Sequence, residues 1–330
     1  MQSSPSDKEK AGAPAWGGRV AGLLGVRYPI VLGPMRMITM GAMAAAVSEA
    51  GGFGQIAASG LDDDTLRREI RTAKSLTGKP FGINVPVYRP NAFSAISIAI
   101  EEGLSAVTTS AGNPAKIMDL ARQGGLKVIH KVSGVKTALK AAEAGVDAVV
   151  AMGWEAGGHV GRENVTTLCL IPQLADVLSI PIIAAGGIAD ARGVAAAVAL
   201  GADGVEIGTR FVASAECPVP GFFKQAVSEA GCEATLLLGK EAMPIRVLRN
   251  RITEAVSNMD KPGADQAIIS SGDAAYVMSG GDRDTAVMPC GQIAGLVRDV
   301  RSIAAIFQEL VSGADAVARK TAAFFTNGAQ

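Results

Sequence analysis

From Tyr28 onward, short apolar runs alternate with amphipathic stretches of helical period. The runs are PIVLG (29–33), FGQIAAS (53–59), PFGINVPV (80–87), SAVTTS (105–110), KVIHKV (127–132), DAVVAMG (147–153), PIIAAGG (181–187) and GVEIGTR (204–210). Most are continuous rather than alternating, which suits strands covered on both faces, as in a parallel sheet. Each parallel strand needs a crossover to bring the chain back. Helices are expected over 41–50, 62–76, 91–102, from about Pro114, up to Ala144-Gly145, over 167–178 and over 190–200. Asp62, Asp63 and Asp64 suit a helix start, where the dipole favours negative charge. Gly103, Gly145 and Gly201 fall where helices should stop.

Eight such units in about 185 residues predict an α/β chain folded as a (β/α)8 TIM barrel. The rival is an open doubly wound sheet. It would place GxGxxG after the first strand, and LGPMRMITMG does not fit that fingerprint. The tail reads differently. Helices are expected at 221–231 and 246–258, loops at 261–284, and a strong final helix at 302–326 with Ile303, Ile306, Phe307, Leu310 and Val311 on one face. The expected organisation is a disordered tail (1–18), a barrel (19–215 and 285–330) and a helical insertion after strand 8 (216–284).

Composition narrows the function. Thirty-one basic residues balance 31 acidic ones and aromatics make up 4%, so neither a basic surface nor a stacking set points to nucleic acid. A 48% apolar content excludes a disordered chain. No uncharged stretch reaches the roughly 18 residues of a membrane span. Cys169, Cys217, Cys232 and Cys290 form no CxxC pair, which argues for free thiols, with neither a metal site nor a disulfide framework. The polar N-terminus lacks a signal-peptide apolar core, so a cytoplasmic enzyme is expected.

In a barrel the chemistry sits at the C-terminal ends of the strands. Gly186, Gly187, Gly208 and Thr209 end the last two strands, where barrels commonly hold phosphate. Bare backbone N–H groups can approach an anion there, and the Thr209 hydroxyl can add a donor. The competing reading is that these glycines only turn the chain. The sixth loop, MGWEAGGHVGREN, carries His159, suited to proton exchange near neutral pH unless it is a plain surface histidine. Glu155 on the same loop either bonds a ligand or braces the loop. His130 reads as a core or strand-end residue. Lys131, next to it, points to the opposite face of the strand, either into the barrel mouth or to the surface. Asn84 offers an amide at the end of strand 3, or a local turn bond.

PIVLGPM, AAAVSEAGGFG, KPFGINV, KVIHKV, GWEAGGHVG, PIIAAGGIAD and GADGVEIGTRF, in this order across 28–218, resemble the nitronate monooxygenase (2-nitropropane dioxygenase) family. That FMN-dependent barrel superfamily includes flavin enoyl-ACP reductases and NAD(P)H:quinone reductases. Weaker echoes follow in MPIRVLRN (243–250) and GQIAGLV (291–297). The resemblance implies FMN as cofactor. Gly33 and Met35 would lie against the isoalloxazine, Asn84 and Lys131 would contact its polar groups, and Gly157 and Gly158 would let the sixth loop approach it. Gly186, Gly187, Gly208 and Thr209 would hold the phosphate, and His159 would be the catalytic histidine. Many relatives carry Gln-Gly-Gly-Met where this chain has Leu32-Gly33-Pro34-Met35, which changes the wall nearest the flavin.

Three functions follow. The first is oxidation of alkyl nitronates with O2 to a carbonyl compound and nitrite. The second is reduction of a quinone or enoyl thioester with NAD(P)H as co-substrate. The third is a non-catalytic flavin-binding barrel. Nucleotide dehydrogenases of the inosine type use FMN-like barrels too, but they place a catalytic cysteine on the sixth loop, and 152–164 contains none, so that reading is rejected. The expected partners are a small-molecule substrate with O2 or NAD(P)H, and neither nucleic acid nor membrane. Self-association as a homodimer is left open.

Overall fold

The computed structural model describes residues 16–239, 244–260, 262–264, 266–267 and 281–326. Eight parallel strands form one sheet: β1 (Ile30–Leu32), β2 (Gly54–Ala57), β3 (Phe81–Pro86), β4 (Ala106–Ser110), β5 (Lys127–Val132), β6 (Ala148–Met152), β8 (Ile182–Ala185) and β9 (Gly204–Ile207). Neighbours run in the order β1-β9-β8-β6-β5-β4-β3-β2. The ends meet through a parallel bridge between Val31 and Phe53, with Leu32 N–H donating to the Phe53 carbonyl at 2.9 Å. The sheet is therefore a closed (β/α)8 TIM barrel.

The sequence shows why each element forms. In α3 (Asp63–Leu76), Asp62 accepts from the Thr65 N–H at 2.7 Å, and Leu66, Ile70 and Ala73 are buried at helical spacing. In α8 (Ala191–Ala199), the Asp190 carboxylate accepts from the N–H groups of Arg192 and Gly193. The remaining crossovers are α2 (Gly41–Glu49), α4 (Ala92–Glu101), α5 (Ala115–Gln123), α6 (Val135–Glu143) and α7 (Thr167–Ala175). Strand residues divide by parity. On β5, Val128 and Val132 pack among the helices, whereas Ile129 joins Val31, Phe53, Val150 and Ile183 inside the barrel.

A short helix, α1 (Arg19–Leu24), stoppers the N-terminal end of the barrel. Its Val20, Ala21 and Leu24 belong to the interior cluster. Arg19 fixes it with two 2.8 Å hydrogen bonds to the Asp203 carboxylate, at the start of β9. At the periphery, α12 (Ile303–Thr326) buries Ile303, Ile306, Phe307 and Leu310, while Val311, expected on the same face, is half-buried. Its Phe307 ring stacks on Phe211 at 5.8 Å between centroids, an arrangement worth about 1 kcal/mol beyond area burial.

The segment after β9 is not purely helical, which corrects the expectation of a helical insertion. After α9 (Thr209–Val212) and α10 (Gly221–Ser228) come two strands, β10 (Thr235–Leu238) and β11 (Ile245–Leu248), and then α11 (Arg251–Ser257). The sixth loop adds a third strand, β7 (Gly158–His159), antiparallel to β11, with Ile245 opposite His159 and Arg246 opposite Gly158. The helix expected over 246–258 begins only at Arg251, because Arg246, Val247 and Leu248 are engaged in this sheet. There Asn250 and Thr253 form a reciprocal capping box. The loop expected at 261–284 and the N-terminal tail lie largely outside the described residues.

Candidate active site at the barrel mouth

The C-terminal ends of β8 and β9 present the backbone donors. Gly186 (φ +90°) and Gly187 (φ +75°) adopt left-handed conformations that a side chain would strain. A methyl on Gly186 would also come within 3.0 Å of the Ala156 nitrogen. Among the described residues, none accepts a hydrogen bond from the N–H of Gly186, Gly187 or Gly208. At Gly208 an added methyl would meet nothing nearer than the Met35 sulfur, 3.8 Å away. Gly33 is tighter. Its N–H donates to the Ile207 carbonyl at 2.8 Å, and its missing side chain would lie 3.1 Å from the Gly208 backbone. Met35 is half-buried, its loop pinned by the Thr39 hydroxyl, which accepts from the Met35 N–H at 3.0 Å. Thr209 is buried, and its hydroxyl oxygen accepts from the Gly291 N–H at 2.9 Å. It thus secures the returning chain.

The sixth loop is braced from beneath. The Glu155 carboxylate accepts from the Thr167 N–H at 2.9 Å and from its hydroxyl at 3.2 Å, at the start of α7. Bracing is therefore the role the structure gives Glu155. Gly157 differs from the expectation that it opens the loop toward a ligand. A methyl there would come within 2.5 Å of the Gly291 nitrogen and 2.6 Å of the Cys290 carbonyl carbon. Packing against the returning chain is what demands a glycine. Gly158 (φ +70°) needs one for its backbone conformation and has room around it.

His159 stands on β7 at the rim, exposed to solvent. Its pKa is lowered, first by desolvation from the surrounding protein and second by the like charge of Arg89 on the third loop. The imidazole is thus held in the neutral form near neutral pH. Beside it, Arg246 is buried and donates to the Trp154 carbonyl at 2.9 Å, its guanidinium 5.9 Å from the centre of the Trp154 ring. This joins the insertion to the sixth loop. His130 lies on the outer face of β5, with Nδ1 2.8 Å from the Thr109 hydroxyl. Burial pushes its pKa down to about 4, so it is a core histidine, neutral at pH 7.

Inside the mouth, polar side chains from five strands form one connected chain. Lys131 pairs with Glu206. Gln55 donates to the other Glu206 oxygen at 3.3 Å and to the Leu32 carbonyl at 2.5 Å. The Thr108 hydroxyl donates to the Gln55 carbonyl at 2.5 Å, and the Asn84 amide donates to Thr108 at 2.9 Å. Asn84 and Lys131 were expected here. Gln55, Thr108 and Glu206 were missed, although a lone Gln or Glu inside an apolar strand run signals a polar lining. Arg89 was missed too, since nothing local in its loop marks it.

The fit for a phosphorylated flavin rests on these features: three unshared N–H groups, open space over Gly208, and donors and acceptors on the floor. Among the described residues, no cluster of three or more His, Cys, Asp or Glu could hold a metal ion.

Residues 18–313 match the family model of nitronate monooxygenase. The structure of FabK from Thermotoga maritima superposes with a TM-score of 0.89 at 37% identity, covering 94% of this chain and 99% of that one. A Mycobacterium tuberculosis protein named (3aS,4S,5R,7aS)-5-hydroxy-7a-methyl-1-oxo-octahydro-1H-indene-4-carboxyl-CoA dehydrogenase is 33% identical over 240 residues, 72% of this chain and 67% of its own. A probable nitronate monooxygenase of Staphylococcus saprophyticus is 32% identical over 296 residues, 76% of this chain and 83% of its own. The chain belongs to the nitronate monooxygenase family, a class of flavin-dependent oxidoreductases.

Proposed function

We propose that this chain is a cytoplasmic, FMN-dependent monooxygenase that oxidises alkyl nitronates with O2 to a carbonyl compound and nitrite. The observation that carries the reading is His159: a solvent-exposed imidazole at the barrel mouth, biased to the neutral form, with the Arg89 cation acting on it. Arg89 supplies positive charge to draw in an anionic nitronate. The neutral imidazole is ready to take a proton from the parent nitroalkane at physiological pH. The N–H groups of Gly186, Gly187 and Gly208 and the Thr209 hydroxyl would hold the phosphate. Asn84 and Lys131 would meet the polar edge of the ring, and Gly33 and Met35 would form its wall. When bound, FMN would supply the redox chemistry between the substrate and O2. The protein's contribution is placement, charge and proton transfer. The four free cysteines fit a reducing compartment.

The test is oxygen uptake and nitrite release by the FMN-loaded protein with propyl nitronate and no nicotinamide. Both are expected. A second reading is supported by the similarity to FabK and to the carboxyl-CoA dehydrogenase. In it, NAD(P)H reduces a quinone or an enoyl thioester through the same flavin. Anaerobic NAD(P)H oxidation with either acceptor, and no response to nitronate, would replace the first reading with the second.

A further inference from the structure

The polar chain inside the barrel has a direction, and one residue sets it. A carboxylate can only accept, so Gln55 must face Glu206 with its NH2 group, which also reaches the Leu32 carbonyl. That turns the Gln55 carbonyl toward Thr108, whose hydroxyl must then donate to it. With its hydrogen committed, Thr108 accepts from the Asn84 NH2. Two groups at the ends are left over. Among the described residues, nothing donates to the side-chain amide oxygen of Asn84, Oδ1, and Lys131 has two N–H bonds beyond the one to Glu206. Glu206, Gln55 and Thr108 are all buried, so solvent offers little alternative to this arrangement.

We infer that Glu206 is a positioning residue. By accepting from both Lys131 and Gln55, it fixes the polarity of the whole chain, so that Asn84 presents an acceptor and Lys131 a donor to the flavin ring. The pyrimidine edge of a flavin alternates carbonyl acceptors with an N–H donor, and this pair complements it. Glu206 also neutralises Lys131, so the cation's pull on the ring is moderated. The inference rests on the proposed FMN site and deepens it.

Four variants test it: Glu206→Gln, the double variant Lys131→Met/Glu206→Gln, Thr108→Val, and Thr108→Ser as the conservative control. Each is loaded with FMN. The affinity is read from flavin fluorescence, the midpoint potential from equilibration with a reference dye, and folding from the melting temperature. Reduction adds negative charge to the ring, so Glu206→Gln, which leaves the Lys131 ammonium unmatched, should shift the potential positive. The double variant should bring it back toward wild type. Thr108→Val should weaken FMN about tenfold by releasing the Asn84 amide, and Thr108→Ser should restore it. Purely structural side chains would lower the melting temperature without moving the potential of the bound flavin. The inference is overturned if Glu206→Gln binds FMN at the wild-type potential, or, should that variant not fold, if Thr108→Val binds FMN as wild type does. If the wild-type protein itself takes up no FMN, the proposed function fails along with it.

Discussion

Gly157 and Gly291 touch backbone to backbone, 134 residues apart in the chain: a methyl on Gly157 would sit 2.5 Å from the Gly291 nitrogen. This contact locks the sixth loop to the segment returning from the insertion, two residues before His159. Gly157→Ala should therefore cost about 1–3 kcal/mol of stability. It should also lower kcat by displacing His159. Thermal unfolding and steady-state kinetics on one preparation would check both. An unchanged melting temperature would mean the loop yields freely.

Gly208 is the opposite case. Its φ of −111° suits any residue, and an added methyl meets only the Met35 sulfur at 3.8 Å. Gly208→Ala should leave the melting temperature of the flavin-free protein near wild type. If phosphate approaches this N–H, the methyl should weaken FMN at least tenfold. Titrating flavin into the stripped variant gives the answer, and wild-type affinity would move the phosphate elsewhere.

The lowered pKa of His159 fixes the sign of a pH effect. With a neutral nitroalkane as substrate, kcat/KM should rise with pH below the ordinary imidazole value of about 6.5 and be flat above it. His159→Asn should abolish that limb and lower the rate about a hundredfold or more. A preformed nitronate needs no proton removed, so its loss should be much smaller. Equal losses for the two substrates would argue against a base.

His130 governs stability instead. Its pKa is about 4 in the fold, because burial outweighs the favourable bond to the Gly112 backbone, against about 6.5 when unfolded. Between those values the unfolded chain binds more protons, so stability rises with pH across that window and is lost as pH falls through it. The contribution amounts to about 3 kcal/mol. In denaturant titrations from pH 4 to 7, His130→Gln should flatten this slope while losing some stability at pH 7. A parallel slope in both proteins would place the proton uptake elsewhere.

The barrel was legible because its strands are buried on both sides and so read as unbroken apolar runs. PIIAAGG marked β8, and GVEIGTR marked β9, to within three residues at either end. The pair β10 and β11 escaped notice. TLLL and IRVL are four residues each, too short to separate strand from helix, and the helical pattern of RITEAVS drew the assignment forward over Arg246. Parity along its strand put Lys131 on the face opposite His130 and left mouth or surface open; the family resemblance is what pointed it at the flavin. The same parity applied to Gln55 in FGQIAAS and Glu206 in GVEIGTR would have placed both inside the barrel. The reason for Gly157 was not available locally, since its neighbour comes from the far end of the insertion.

The α1 stopper has a kinetic consequence. With one end of the cylinder plugged by Val20, Ala21 and Leu24, the described residues leave small molecules the opposite end, on the side of His159. Substrate and O2 must then meet behind it, because a monooxygenase puts an oxygen atom of O2 into its product. Initial-rate plots at several fixed concentrations of the partner should give intersecting lines, the mark of a mouth that holds both at once.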